Sequence, residues 1–258
     1  MDVTNQFVEV AGQRLETQVL GIRQRAPTMV FLHEGLGSIA LWGAFPAQLC
    51  ETLGVNGLVY SRHAYGRSSR LTEPRSADFM HHEAHVVLPA VLVALGIERP
   101  IIFGHSDGGS IGLLYAALEY DNPARAAIIL APHLFVEQIS IDAISAAKRA
   151  YIESDLRARL KRFHDDVDGA FFGWNDIWLD AAFRDWNIEQ DIEGIRCPLL
   201  AIQGENDEYG SMRQIDAISE RVPQARLVKL AGCRHSPHRD CAPAVIAACS
   251  EFLKALPA

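Results

Sequence analysis

Cysteine is scarce and badly placed for either of its structural uses. The 258 residues hold five, Cys50, Cys197, Cys233, Cys241 and Cys249, an odd number with no Cys-x-x-Cys pair, which argues against a disulfide framework and a zinc finger alike. Positive charge is in deficit: 24 Lys and Arg stand against 32 Asp and Glu, for a formal net charge of -8. No basic stripe is left to neutralise phosphates, so nucleic acid is not expected as a partner. Long apolar runs are missing too. A stretch such as 126–131 falls far short of the roughly 20 residues that span a bilayer, and no membrane partner is expected. Residues 1–10 alternate in polarity and carry Asp2 and Glu9, unlike the basic start and apolar run of a secretory signal. The expectation is a cytoplasmic protein, monomer or homodimer, acting on a small molecule.

With 49% hydrophobic and 22% charged residues, the composition allows a large buried core, and the length suits one α/β core with an insertion. Alternating residues 7–10 and 15–20, parted by Ala11-Gly12-Gln13, read as a hairpin. Compact apolar runs follow at 29–32, 58–60, 101–103, 127–130, 199–202 and 227–230, candidates for buried parallel strands. Between them the spacing predicts helices over 41–52, 77–95, 110–120, 212–221 and 242–256, as right-handed crossovers require. Residues 133–195 break this rhythm: they are helical in pattern and rich in aromatics. The expected organisation is a core of 1–132 and 196–258 with a helical insertion at 133–195.

The sharpest local signal is Gly104-His105-Ser106-Asp107-Gly108, set between the apolar run 101–103 and the helical pattern 111–118. As a bare pattern it is weak. Its context is not: a serine at a tight strand-to-helix turn is lifted clear of the sheet. The helix that follows aims backbone N–H groups at the space above it. The alternative is a glycine-rich turn capped by Ser106.

A serine hydroxyl needs an adjacent base, and the base needs a third group to orient it. The run 199–202 leads into Gly204-Glu205-Asn206-Asp207, and 227–230 leads into Gly232-Cys233-Arg234-His235. Ser106, Asp207 and His235 thus follow three candidate strands at their carboxyl ends, where open α/β sheets gather ligands. Glu205 and Glu208 compete for the acid role, but the Gly-x-x-Asp spacing favours Asp207.

With these motifs the chain resembles the α/β-hydrolase superfamily, over most of its length apart from 133–195. The resemblance implies a mostly parallel eight-stranded sheet flanked by helices, with a small helical cap. It also implies a cofactor-independent serine hydrolase with Ser106 as nucleophile, His235 as base and Asp207 as its orienting acid. Leu32-His33-Glu34-Gly35-Leu36-Gly37 resembles the family's loop that supplies the second oxyanion donor. Gly35 is favoured for that role over Glu34, with Asp107 as the first donor. Gly66-Arg67-Ser68 and Gly232-Cys233-Arg234-His235-Ser236-Pro237 resemble two further family turns. The last favours His235 over His238 as the base and leaves His238 at a helix start or rim.

Several residues keep two readings. Glu34, where relatives more often have glycine, is either a substrate contact or a partner of Arg62 or Arg67. His133 is a candidate substrate contact at the end of its strand. Trp174, Trp178 and Phe171 line an apolar pocket or fill a core. His105 is expected to pack beneath the serine. His81, His82 and His85 lack the His-Glu-x-x-His order of a zinc site, so no metal and no cofactor are expected. The expected reaction is hydrolysis of a small or medium carboxylic ester. The alternatives are carbon-carbon bond cleavage or lactone opening on a carboxylated metabolite, with Arg67 or His133 as carboxylate partner, or ligand binding on a hydrolase scaffold.

Overall fold

Strands that are apolar on both faces are stable only between two layers of helix, and the chain builds that arrangement. The computed structural model describes residues 2–21, 25–118 and 121–256. Its eight strands are β1 (Val3–Val10), β2 (Gln13–Leu20), β3 (Thr28–Leu32), β4 (Asn56–Tyr60), β5 (Ile101–His105), β6 (Ala126–Leu130), β7 (Leu199–Gly204) and β8 (Arg226–Leu230). They form one sheet in the order β1-β2-β4-β3-β5-β6-β7-β8. The β1-β2 hairpin joins it antiparallel through β4, and all other neighbours are parallel.

Successive strand residues point to opposite faces, which divides the core in two. Ile102, Ala127, Ile129 and Ala201 pack on one side. Ile101, Phe103, Ile128 and Ile202 pack on the other, against Trp42, Leu49 and Phe252. The run 227–230 is not a buried strand as its apolar residues imply. β8 pairs only with β7, and as a sheet edge it is exposed or half-buried throughout.

The helices are α1 (Ile39–Trp42), α2 (Phe45–Leu53), α3 (Phe79–His82), α4 (Leu88–Ala94), α5 (Asp107–Ala117), α6 (Gln138–Glu153), α7 (Leu156–Leu160), α8 (Val167–Leu179), α9 (Arg213–Arg221), α10 (Pro237–Asp240) and α11 (Ala242–Lys254). Two predicted helices are interrupted. The 41–52 segment breaks at Gly43, whose φ of 60° ends α1. The 77–95 segment widens into a π turn at Glu83–Val87, just ahead of Pro89 at the start of α4; a proline has no N–H for the i→i−4 ladder and crowds the carbonyl four residues back. The predicted 110–120 helix starts earlier, at Asp107, and residues 119–120 lie outside the described ones. Between β6 and β7 come α6, α7, α8 and two 3-10 turns. The two ends of this segment meet in an isolated bridge between Phe135 and Asn187. No helix among the described residues is long and apolar enough to cross a membrane.

In register, Leu32 pairs with Gly104, His105 with Leu130, Leu130 with Ile202 and Gly204 with Leu230. The carboxyl ends of β3, β5, β6, β7 and β8 are therefore level. The loops that leave them converge.

Candidate active site

Ser106 sits between β5 and α5 with φ 53° and ψ −122°, a conformation costly for any residue with a Cβ. Its N–H is tied to the Leu130 carbonyl at 2.9 Å. The bend works because its flanks are small: a Cβ on Gly104 would meet the Gly108 carbonyl oxygen at 2.3 Å, and one on Gly108 would meet the Leu32 carbonyl oxygen at 2.1 Å. The N–H of Asp107 lies in the first turn of α5, where no intrahelical acceptor exists.

The turns after β7 and β8 meet this serine. Ser106 Oγ lies 3.0 Å from His235 Nε2, and His235 Nδ1 lies 2.8 Å from Asp207 Oδ1. Asp207 also accepts from the N–H groups of Tyr209 and Gly210 and from Gln203 Nε2. Burial opposes its ionisation, but the His235 bond and these donors outweigh it and hold the carboxyl below its usual range. The competing acids go elsewhere. Glu205 is exposed, and Glu208 accepts from the backbone N–H of His235 at 3.2 Å and from Arg234 at 2.9 Å.

The loop after β3 is held from behind. His33 Nδ1 donates to the Glu34 carbonyl at 2.6 Å, and its Nε2 accepts from the Arg62 N–H at 2.9 Å. That pattern fits a neutral ring, and burial keeps the His33 pKa well below the usual value. Arg62, fully buried, donates to the Glu34 carbonyl at 3.1 Å and stands 3.9 Å from Asp107. The Glu34 carboxylate pairs with neither Arg62 nor Arg67. Its oxygens face His105 Nδ1 at 3.4 Å and Arg239 at 3.7 Å. Arg62 is turned inward to the backbone, and Arg67 lies out on the surface against Glu16.

These loops enclose a cavity of about 170 Å³ that includes Ser106, Asp107 and His235. Glu34, Gly35 and Leu36 line it from the loop after β3, and Ile144, Trp174 and Trp178 line it from α6 and α8. Trp174 packs so closely over Gly35 that a Cβ there would lie 2.2 Å from its Nε1. Trp178 donates to Asp107 Oδ1 at 3.3 Å. Phe171 belongs to the core instead, stacked on Tyr151 at 3.7 Å. His133 lines the cavity, and burial drives its pKa down to about 3, so its ring is neutral at ordinary pH.

His238 stands at a helix start, one of its two expected places, and not at a rim. It is 2% exposed, in α10, with its ring 4.7 Å from Trp42 and 4.8 Å from His105. Sequence reasoning missed Tyr209, whose ring lies 4.7 Å from that of His235, because nothing local marks it. Among the described residues, no three His, Cys, Asp or Glu side chains are grouped to hold a metal ion.

The pattern of the alpha/beta hydrolase family matches residues 29–248. A candidate carbamate hydrolase RutD of Caulobacter sp. is 25% identical over 223 residues, covering 77% of this chain and 80% of the relative. The bifunctional esterase/perhydrolase DCH of Acinetobacter calcoaceticus is 23% identical over 212 residues, covering 70% and 75%. Among solved structures, the enol-lactonase from Burkholderia xenovorans LB400 superposes with a TM-score of 0.76 at 19% identity, covering 96% of this chain and all of that one. A proline iminopeptidase of Mycobacterium smegmatis gives 0.78 at 20% identity, covering 97% and 98%. At such identities the superpositions speak for the fold alone. With the family pattern running through every strand from β3 to β8, the chain belongs to the alpha/beta hydrolase family.

Proposed function

We propose that the protein is a serine hydrolase that cleaves a small, uncharged carboxylic ester through an acyl-enzyme. The observation that carries this reading is the chain of contacts from Asp207 through His235 to Ser106, 2.8 Å and 3.0 Å long, opening onto a small cavity with apolar walls from Leu36, Ile144, Trp174 and Trp178. Ser106 Oγ attacks the carbonyl carbon while His235 Nε2 takes its proton, and Asp207 keeps the imidazole in the required tautomer. The negative charge gathers on the carbonyl oxygen, facing the backbone N–H groups of Asp107 and Gly35. Donors of this kind contribute about 3 kcal/mol each in comparable enzymes. Collapse breaks the bond to the leaving alkoxide, which takes the proton from His235. Water then adds to the acyl-enzyme with His235 again as base, releasing the acid and restoring Ser106.

Size and charge narrow the substrate. A cavity of about 170 Å³ is close to the roughly 150 Å³ that accommodates benzene in an engineered protein core, so a short acyl group is enough to fill it. No Lys or Arg lines it, His133 is neutral, and Arg67 faces a separate surface groove. A substrate carboxylate therefore meets no unengaged cation in this cavity, because His105, which also lines it, already faces Glu34, and this weighs against a carboxylated diketone or lactone. A carbamate is the second reading, because two of the sequence relatives are RutD proteins and the same attack suits its carbonyl.

The test is a rate series with p-nitrophenyl esters from acetyl to octanoyl, on the wild type and Ser106→Ala. The wild type is expected to favour the shortest esters, and the variant to lose at least about 1,000-fold in kcat. Undiminished turnover by Ser106→Ala, or a folded wild type inert to the whole series, overturns the reading.

A further inference from the structure

His235 is gripped at four points, and only two involve its ring. Its N–H donates to Glu208 Oε2 at 3.2 Å, and its carbonyl oxygen lies 2.7 Å from His105 Nε2. His105 is the residue before Ser106 and is wholly buried. A carbonyl only accepts hydrogen bonds, so Nε2 of His105 carries a proton. On the other side of the ring, Nδ1 faces Glu34 Oε2 at 3.4 Å. Were Nδ1 bare, its lone pair would confront a carboxylate; with a proton on both nitrogens the ring donates in both directions.

The surroundings fit a carboxylate that faces an N–H donor. Burial opposes ionisation of Glu34, yet the bond to His105 and the nearby positive charge outweigh it and hold the carboxyl well below its usual range. From α10, His238 is neutral, its pKa pushed down to about 2 by burial, while Arg239 brings a charge to 3.7 Å from Glu34 Oε1. From the loop after β6, His133 is neutral. From α1, the uncharged Trp42 ring lies 6.3 Å from that of His105. Beyond Glu34, burial also depresses His33 and His164. From the loop after β8, the His235 ring itself stands 5.2 Å away, with Asp207 behind it.

We propose that Glu34 and His105 form a second carboxylate–imidazole pair, whose role is to position the main chain of His235 relative to Ser106. Both are positioning residues, and the proposal rests on the hydrolase reading above. With both nitrogens donating, the ring bridges the Glu34 carboxylate to the His235 carbonyl. A glutamine at position 34 keeps that bridge without the charge, because its amide donates to an Nδ1 that carries no proton.

The experiment joins two readouts. Side-chain nitrogen NMR of the wild type, with His105 assigned against a His105→Gln variant, is expected to show both ring nitrogens protonated near neutral pH and one protonated in Glu34→Gln. With p-nitrophenyl acetate, Glu34→Ala is expected to lose about 10-fold in kcat, short of the roughly 100-fold that a full 1 Å misplacement costs, and Glu34→Gln to recover part of that loss. A singly protonated His105 in the wild type, or equal losses in Glu34→Gln and Glu34→Ala, overturns the pair. If the wild type turns over no ester, the hydrolase reading falls, and the nitrogen spectra alone still decide whether the pair exists.

Discussion

Trp178 reaches from α8 to the first residue after the serine, its indole N–H donating to Asp107 Oδ1 at 3.3 Å. The contact is buried on both sides, with Trp178 and Asp107 each 1% exposed. Asp107 needs it, because its other oxygen has no hydrogen-bond partner and burial raises its pKa in spite of Arg62. Replacing Trp178 with Phe keeps a ring in place and removes the donor. Trp178→Phe is expected to cost about 1–3 kcal/mol, the penalty of a stranded buried acceptor, read from the urea midpoint. The kcat for a short ester should fall with it, since the Asp107 N–H then loses its brace.

The backbone at Ser106 gives a second prediction. Its φ of 53° is strained for serine and relaxed for glycine. Ser106→Gly is therefore expected to raise unfolding stability by about 1 kcal/mol while abolishing ester hydrolysis. Ser106→Ala, which keeps the Cβ, should lose activity with no such gain. Thermal unfolding of the two variants side by side checks the contrast.

Trp174 sets the depth of the cavity. It lies against Gly35 and comes from α8, so truncation opens space without removing Ser106, His235 or Asp207. Trp174→Ala is expected to shift the preferred p-nitrophenyl ester from acetyl toward hexanoyl or octanoyl. Stability should drop by about 3 kcal/mol, as for other buried aromatics cut to alanine. An acyl profile unchanged in the variant would show that the chain does not enter on that side.

His238 predicts a pH effect. Neither ring nitrogen has a hydrogen-bond partner, and burial drives its pKa down to about 2, against about 6.5 in an unfolded chain. Between those values the unfolded state binds a proton that the folded state refuses, so stability is lost as the pH falls through that window. His238→Phe removes the loss and packs against Trp42 and Phe45. Its melting temperature should exceed that of the wild type at pH 7, with the gap widening by pH 5.

The strands were legible because both-face burial leaves long apolar runs, as at 101–103 and 199–202. β8 misled because its Leu and Val residues looked like those of an inner strand, whereas position in the sheet decides burial. Helix existence was legible and continuity was not: Gly43 and Pro89 act through φ and a missing N–H, which hydrophobic spacing ignores. At the site, Ser106, Asp207 and His235 could be picked out because each ends a strand in a small-residue turn. The partners of Glu34 could not, since His105 lies 71 residues away in sequence and no local pattern joins them. The helix start at His238 could be read, and α10 begins at Pro237; its burial could not, because only the packing of α1 beside α10 produces it.

Arg62 makes one half of the cavity indivisible. Its guanidinium holds the carbonyls of His33 and Glu34 and stands beside Asp107, while its own N–H holds the His33 ring. A single side chain thus fastens the loops after β3 and β4 to the head of α5, and no one of them can drift without dragging the others. The remaining lining, with Trp174 and Trp178, comes from α8, one helix lying outside the sheet. The cavity is in this sense two-part: a half locked by one arginine, which admits few substitutions, and a half on a separate helix that can change without disturbing it.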